Sequence, residues 1–278
     1  MADASHSVHR PIDLQTRFPD PALAATIRFG AADAGTSGDL HLHAAAQTAA
    51  LRTGLALLPT RPLVLLGFSP GNGYFSSMRI EVAIGAFAQA FDEVIVVVPD
   101  TIVEHTYRAL GLPEADVVAK ARRQSNKVKK RCSRAIDLAR QQQPTARIRM
   151  LDWATEVDAD PRQAEDVEQI RRLYAEHPRF RAEVWQKGHE VLASKRSDRS
   201  PTDPEVEEGV QYLLKEFAFM RRARTHFGRD LVIPYHQDFR LGQGINDGTY
   251  LPAQDGVGWL IYDIHLDDAS EGELRHAA

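Results

Sequence analysis

The apolar residues of this chain follow two patterns: short unbroken runs that stop at turn residues, and longer stretches with apolar positions three and four apart. The clearest run is Leu63-Val64-Leu65-Leu66-Gly67-Phe68, bounded by Pro62 and by the turn Ser69-Pro70-Gly71-Asn72-Gly73. Continuous apolarity over so few residues predicts a strand covered on both faces, as in a parallel sheet. Phe75 to Phe91, carrying Ile80, Val82, Ile84, Ala86 and Phe87, predicts the next helix, and Val94 to Val98 a second buried strand. Together they make a β-α-β unit. Asp100 and Thr101 are placed to cap a helix over 102–110 that Gly111 and Pro113 terminate.

Further along, a helix is predicted over 114–142 and a strand over 147–151, followed by helical segments at 166–174 and 180–192. The charged, Ser- and Pro-containing stretch 197–204 reads as an exposed loop. A helix then runs from Glu205 to about Arg224 on Val210, Leu213, Leu214, Phe217 and Phe219, with strands at 231–234 and 259–264. Strands alternating with helices define an α/β fold with a mostly parallel, Rossmann-like sheet flanked by helices. Ser69 then sits at the C-terminal edge of a strand, where open α/β sheets bind ligands.

Residues 1–60 carry no clear period, because Pro11, Pro19, Pro21 and the Ala-Gly-Thr-Ser-Gly run at 34–38 interrupt it. They are expected to form a partly ordered N-terminal extension ahead of a single catalytic domain at 61–266 and a flexible tail at 267–278. His41 and His43 alternate with Leu40 and Leu42, but no further ligand follows at metal spacing, so a surface-facing strand or turn is expected.

Length and composition bound the rest. At 278 residues, 43% hydrophobic and 26% charged, the chain has the makeup of one large soluble domain. Met1 to Arg10 lacks the apolar segment of a signal peptide, and no run approaches the roughly 20 apolar residues of a membrane helix. A cytoplasmic protein with no membrane partner is expected, and nothing demands more than a monomer. Cys132, the one cysteine, excludes an internal disulfide and a cysteine metal cluster and reads as a helix-packing residue.

The net charge of -4 gives no global sign of a nucleic-acid partner, but local charge does. Between Lys120 and Arg140 stand nine basic residues against the single acid Asp137; they include Lys120, Arg123, Lys127, Lys130, Arg131 and Arg134. Val118, Ala121, Val128, Cys132, Ala135 and Ala139 are expected on one helix face, leaving a one-sign stripe outward, the footprint of phosphate contacts. Arg221, Arg222 and Arg224 form a second cluster, open to either nucleic-acid contact or helix-end compensation.

The turn after the first strand admits three chemical readings. Gly67-Phe68-Ser69-Pro70-Gly71 matches the G-x-S-x-G elbow of α/β-hydrolases, with His265 as a candidate base. Pro70 disfavours it, because the residue after the serine should donate an oxyanion N–H and proline has none. A phosphate-cradling loop is weak without the Lys and Ser/Thr of a P-loop. A tight turn with a capping serine is the plain alternative.

Leu65 to Ser76, reading Leu-Leu-Gly-Phe-Ser-Pro-Gly-Asn-Gly-Tyr-Phe-Ser, resembles the first signature of the cyclodipeptide synthases, and Tyr212-Leu-Leu-Lys-Glu216-Phe-Ala-Phe-Met220 resembles the second. The resemblance covers roughly 65–240. It implies a domain similar to the catalytic domain of class I tyrosyl- and tryptophanyl-tRNA synthetases, without ATP-binding motifs. It implies an aminoacyltransferase that makes a cyclic dipeptide, a diketopiperazine, from two aminoacyl-tRNAs by a ping-pong route through an aminoacyl-enzyme and a dipeptidyl-enzyme. By the same resemblance Ser69 is the nucleophile, Tyr212 and Glu216 hold the aminoacyl ammonium, and Tyr235 relays a proton during cyclisation. Gly67, Asn72, Tyr74 and His236 are expected around the substrate, Tyr74 as a structural residue shaping the loop at Ser69 and His236 as support for Asn72 or Tyr235 or a core histidine beside the strand. Asn72, Tyr235 and His236 match the Asn-Tyr-His subgroup. Phe68, Gly73, Ala218 and Met220 depart from the usual pattern without removing a reacting group.

The chemistry is consistent with these residue types. An aminoacyl-tRNA is already an activated ester, so passing its acyl group to Ser69 exchanges one ester for another and requires no cofactor, ATP or metal. The α-amino group has a reference pKa of about 7.7–8.0 and, as ammonium, wants a carboxylate such as Glu216. Tyr212, four residues earlier, shares its helix face. The base for the Ser69 hydroxyl stays open among the substrate amine, Tyr235 and a water relay. The alternatives to a synthase are an α/β-hydrolase-like serine esterase using Ser69 and a non-catalytic tRNA-binding protein.

Overall fold

A computed structural model describes residues 23–31, 36–43 and 47–267. Five parallel strands form the centre: β3 (Leu63–Gly67), β4 (Glu93–Val97), β5 (Arg147–Leu151), β6 (Leu231–Tyr235) and β7 (Val257–Leu266). With β1 (Leu23–Ala31) and β2 (Thr36–His43) they make one sheet in the order β1-β2-β7-β6-β3-β4-β5. The chain runs outward from β3 through β4 to β5, then returns to the other side of β3 for β6 and β7. The order therefore reverses between β3 and β6. The two crossovers leave that gap in opposite directions, so a crevice opens above the C-terminal ends of these two strands.

β1 and β2 form an antiparallel hairpin that pairs with β7, which continues past the end of its parallel partner β6. The stretch 1–60 thus supplies two strands and helix α1 (Ala49–Leu57) to the same body, and the boundary read at residue 61 falls inside the sheet domain. Residues 1–22 and the tail 268–278 lie outside the described residues. His41 and His43 are on β2; His41 bonds Thr26 (3.0 Å) and His43 bonds Asp263 (2.6 Å).

Alternation along β3 explains the core. Val64 and Leu66 pack on one sheet face with α2 (Ser77–Ala90) and α4 (Glu114–Gln142). Leu63 and Leu65 face the other layer, where α5 (Pro161–Glu176), α6 (Pro178–Ala193), α7 (Asp203–Phe227) and the short α8 (Arg240–Gly244) lie. α2 is apolar around almost its whole circumference, Ile80 to Ala88 being buried, because it is enclosed between the sheet, the β1-β2 hairpin and α4. α3 (Val103–Ala109) bridges α4 and α7.

Two local readings are corrected. Asp100 and Thr101 do not cap α3: Thr101 donates to Asp158 (2.6 Å) and Asp100 pairs with Lys129, while the cap position is Ile102 without a side-chain bond. On α4 the buried face begins at Val117, and Val118 is half exposed. Val117, Ala121, Val128, Cys132, Ala135 and Ala139 follow the three-and-four spacing, whereas Val118 lies about 100° off that stripe. Cys132 is buried among them, and burial pushes its thiol up to about 12, which makes it an inert packing residue.

Candidate active site

Ser69 follows β3 by two residues. The Phe68 N–H donates to the Val97 carbonyl (2.8 Å), so the sheet holds the chain up to the residue before the serine. The turn itself has Pro70 second and Gly71 third, Gly71 at φ +77°, and closes with the Asn72 N–H on the Ser69 carbonyl (3.3 Å). That is type II turn chemistry: proline presets the second position and only glycine sits without strain in the third. The Asn72 Oδ1 accepts from the Tyr74 N–H (3.0 Å), and Ser76 caps α2 by accepting from the Arg79 N–H (3.3 Å). The loop is thus carried from a strand end into a helix start.

The other reacting groups come from across the sheet. Tyr235 is the last residue of β6, and the register Leu63↔Leu231 and Val64↔Val232, carried forward, sets it beside Gly67. α7 crosses above the same gap and presents Gly209, Tyr212, Leu213, Glu216 and Met220 along one face. Ser69, Asn72, Tyr212, Glu216 and Tyr235 line one cavity of about 270 Å³, with Thr106 from α3, Gly188, Val191 and Leu192 from α6, and Phe239. Five sequence-selected residues, drawn from three separate segments, therefore meet at the switch point of the sheet.

Electrostatics distinguishes this set from an ordinary helical pair. Burial pushes the Glu216 carboxyl up to about 7, with Tyr212 partly opposing the shift. Burial, and then the Glu216 charge, hold the Tyr212 phenol well above its ordinary value, while Ser69 pulls it back. The Tyr212 hydroxyl is buried between the two without a completed hydrogen bond. Tyr235 is raised by burial and by Glu216. The cavity thus holds a carboxyl poised near neutrality and two protonated phenols, an arrangement that favours a cationic guest against Glu216.

Gly67, Tyr74 and His236 are not part of the cavity wall. The His236 ring stacks on Tyr74 at 3.8 Å, meets Phe75 edge-on at 5.3 Å and lies 4.6 Å from Tyr235. Burial lowers His236 to about 4, so the ring is neutral and acts as an aromatic wall behind Tyr235. No contact with Asn72 is formed; the support goes to Tyr235. His265, the base required by a hydrolase, pairs on β7 with Asp39 of β2 and touches the His41 ring at 4.7 Å, outside the cavity wall.

Sequence reasoning missed Thr106, Lys187, Lys195, Gln237 and Phe239, which also line the cavity. Thr106 and Lys187 lie on helices whose period does not tell which face meets the crevice, and Lys195, Gln237 and Phe239 lie in connections without a period.

The basic helix divides into two groups. Arg131 donates to the Phe75 carbonyl (3.2 Å) and Arg134 pairs with the buried Glu81 of α2 (3.2 Å), so these two brace α4 against the domain. Lys120 approaches the Tyr107 ring at 6.0 Å, while Arg123, Lys127 and Lys130 are exposed. The second cluster is not a free basic patch. Arg222 is buried on Asp160 and Asp166, Arg221 donates to the Ile245 carbonyl (3.0 Å) and Arg224 pairs with Asp230 (3.0 Å). No helix among the described residues is long and apolar enough to cross a membrane.

The chain is thus an α/β domain of Rossmann-like architecture whose switch point gathers a serine turn, a carboxyl and two tyrosines in one cavity. The family model for cyclodipeptide synthases matches residues 56–261, and the chain belongs to that family, whose enzymes form cyclic dipeptides from aminoacyl-tRNAs. Solved structures agree on the fold. A cyclodipeptide synthase from Bacillus thermoamylovorans matches with TM-score 0.66 at 21% identity, over 76% of this chain and 93% of its own. One from Staphylococcus haemolyticus matches with TM-score 0.66 at 19% identity, over 77% and 96%. One from Candidatus Glomeribacter gigasporarum, bound to Phe-tRNAPhe, matches with TM-score 0.54 at 16% identity, over 73% and 88%. Among curated protein sequences nothing matches significantly.

Proposed function

We propose that this chain condenses two aminoacyl-tRNAs into a cyclic dipeptide by a ping-pong route with Ser69 as the acyl acceptor, as an Asn-Tyr-His type synthase. The observation that carries the reading is the meeting of Ser69, Tyr212, Glu216 and Tyr235 in one cavity with Glu216 poised near neutrality. The Ser69 hydroxyl attacks the ester carbonyl of the first aminoacyl-tRNA; the new ester forms as the tRNA 3′-terminal oxygen leaves with a proton. Glu216 and Tyr212 hold the α-ammonium of the acyl group. Because Glu216 and the amine titrate within about one unit of each other, the carboxylate can take the proton when the amine must attack. That amine attacks the ester carbonyl of the second aminoacyl-tRNA; the peptide bond forms as the second tRNA leaves through its 3′-terminal oxygen with a proton, and the dipeptidyl-enzyme results. The new terminal amine then attacks the Ser69 ester, releasing the ring, with Tyr235 relaying its proton.

The tRNA is expected to lie along the exposed side of α4, on Lys120, Arg123, Lys127 and Lys130, with Arg131 and Arg134 holding that helix in place. Changing Arg123, Lys127 and Lys130 together to glutamine should weaken tRNA binding and flatten its salt dependence by about 3 in the log–log slope, roughly one per lost phosphate contact. A single Arg134→Gln should instead lower the melting temperature, because it removes the Arg134–Glu81 ion pair that braces α4 against α2. Titration at several salt concentrations separates the two groups.

A bacterial host expressing the chain should release cyclic dipeptides detectable by mass spectrometry. With Tyr235→Phe their yield should fall by roughly 100-fold or more while Ser69 still becomes acylated, since a proton relay contributes about 10²–10⁴-fold. Absence of any cyclic dipeptide with the unaltered protein and charged tRNA present would reject the reading.

A further inference from the structure

We propose that Lys195 is a positioning residue for the reaction: its ammonium clamps the turn that aims Ser69. This rests on Ser69 being the acyl acceptor. The Lys195 Nζ donates to the Gly71 carbonyl at 2.9 Å, from a segment 124 residues away in sequence. Among the described residues it is the one hydrogen bond that reaches the backbone of residues 69–73 from outside the loop and its strand.

The turn needs such a contact. Pro70 offers no N–H, the closing bond from Asn72 to Ser69 is long at 3.3 Å, and a Cβ built on Gly73 would meet nothing within 4 Å. The Gly73 side of the loop is therefore open; Pro70 is buried, and beside Gly71 a Cβ would meet the Lys195 Nζ at 3.5 Å and the Tyr107 hydroxyl at 3.8 Å, so Lys195 is the nearest outside group at the tip. A bond from a charged donor is the stronger kind of restraint available to a carbonyl.

The lysine is itself anchored. It stands just past the end of α6, where the Lys195 N–H donates to the Leu192 carbonyl (3.0 Å). Its neighbour Arg196 pairs with Glu205 (2.9 Å) and reaches the Ala109 carbonyl (3.4 Å). Glu205 in turn closes the capping box that starts α7, the helix carrying Tyr212 and Glu216. The clamp thus ties the nucleophile's turn to the same frame that holds its partners. Desolvation lowers the Lys195 pKa, as expected for an ammonium set against the cavity wall rather than in bulk water.

The test measures single-turnover formation of the aminoacyl-enzyme at saturating charged tRNA, tRNA affinity and thermal unfolding for the unaltered chain, Lys195→Met, Lys195→Gln and Lys195→Arg. Misplacement of a nucleophile by about an ångström costs up to roughly 100-fold, so both neutral variants should acylate roughly 10- to 100-fold more slowly. Their tRNA affinity and melting temperature should stay near those of the unaltered chain. Lys195→Arg, which can still donate to Gly71, should recover most of the rate. The proposal is overturned by an unchanged rate, by a deficit that appears in tRNA affinity alone, or by an arginine variant as slow as methionine. If the unaltered chain fails to acylate, the reading of Ser69 has failed, and the two failures are distinguished.

Discussion

Ser69→Ala is expected to abolish cyclic dipeptide formation, with a loss of at least about 10⁴-fold, the scale on which removal of a covalent nucleophile acts. The alanine keeps the turn, because Pro70 and Gly71 set its shape and the serine contributes its carbonyl, not its side chain, to the closing bond. tRNA binding and melting temperature should therefore be nearly unchanged. The cavity offers no replacement: Tyr212 and Tyr235 are raised in pKa and buried, so neither phenol supplies a ready nucleophile near neutral pH. Measuring product, tRNA affinity and unfolding on the same preparation checks all three expectations.

Glu216→Gln separates activity from stability, and their signs differ. The carboxyl titrates at about 7 in the free protein, above its ordinary value of 4.5, because burial penalises its charged form. A group whose pKa rises on folding contributes stability below its unfolded value and loses it as pH rises through the folded value, here between about 4.5 and 7. At pH 8 the unaltered chain therefore carries a buried carboxylate that glutamine removes, and the variant should melt higher. At pH 4 to 5 the two should melt alike. Activity should move oppositely, falling by roughly 100- to 5000-fold, since breaking a buried charge pair costs about 3–5 kcal/mol. The unaltered enzyme should show kcat/KM falling below pH 7 as Glu216 protonates, and falling again above about pH 8 as the substrate amine loses its charge. The acid limb should vanish in Glu216→Gln.

Where one physical cause dominates, the elements can be read directly from residues. The apolar run at 63–68 is a strand because both faces are covered, and α4 and β5 span the residues 114–142 and 147–151 expected of them. The β1-β2 hairpin could not be read, since its pairing depends on β7 outlasting β6, a property of another part of the sheet. α8 is equally hidden: Arg240-Leu-Gly-Gln-Gly244 has poor helix propensity. It forms because Gly242 and Gly244 pack where a Cβ would meet Phe239 or Trp259 at 2.6 Å and Tyr250 at 2.3 Å.

The site divides in the same way. Ser69, Tyr212, Glu216 and Tyr235 were legible through two signatures and a strand end. Thr106 was not, because a residue's place on a helix does not say which side faces a crevice formed by distant segments, and Lys195 was not, because it lies in the turn after α6, where no period applies. His236, open in the sequence between supporting Asn72 and supporting Tyr235, stacks on Tyr74 and lies against Tyr235, a choice only packing reveals. The basic stripe was visible as charge, but its division into bracing and exposed residues required Glu81 and Phe75 to be in place.

The most direct test of the account is the intact mass of the protein after mixing with a single charged tRNA. The account predicts a mass increase equal to one aminoacyl residue on the unaltered chain, localised to the peptide containing Ser69 and absent from Ser69→Ala. No increase on the unaltered chain, or an equal increase on Ser69→Ala, would contradict it.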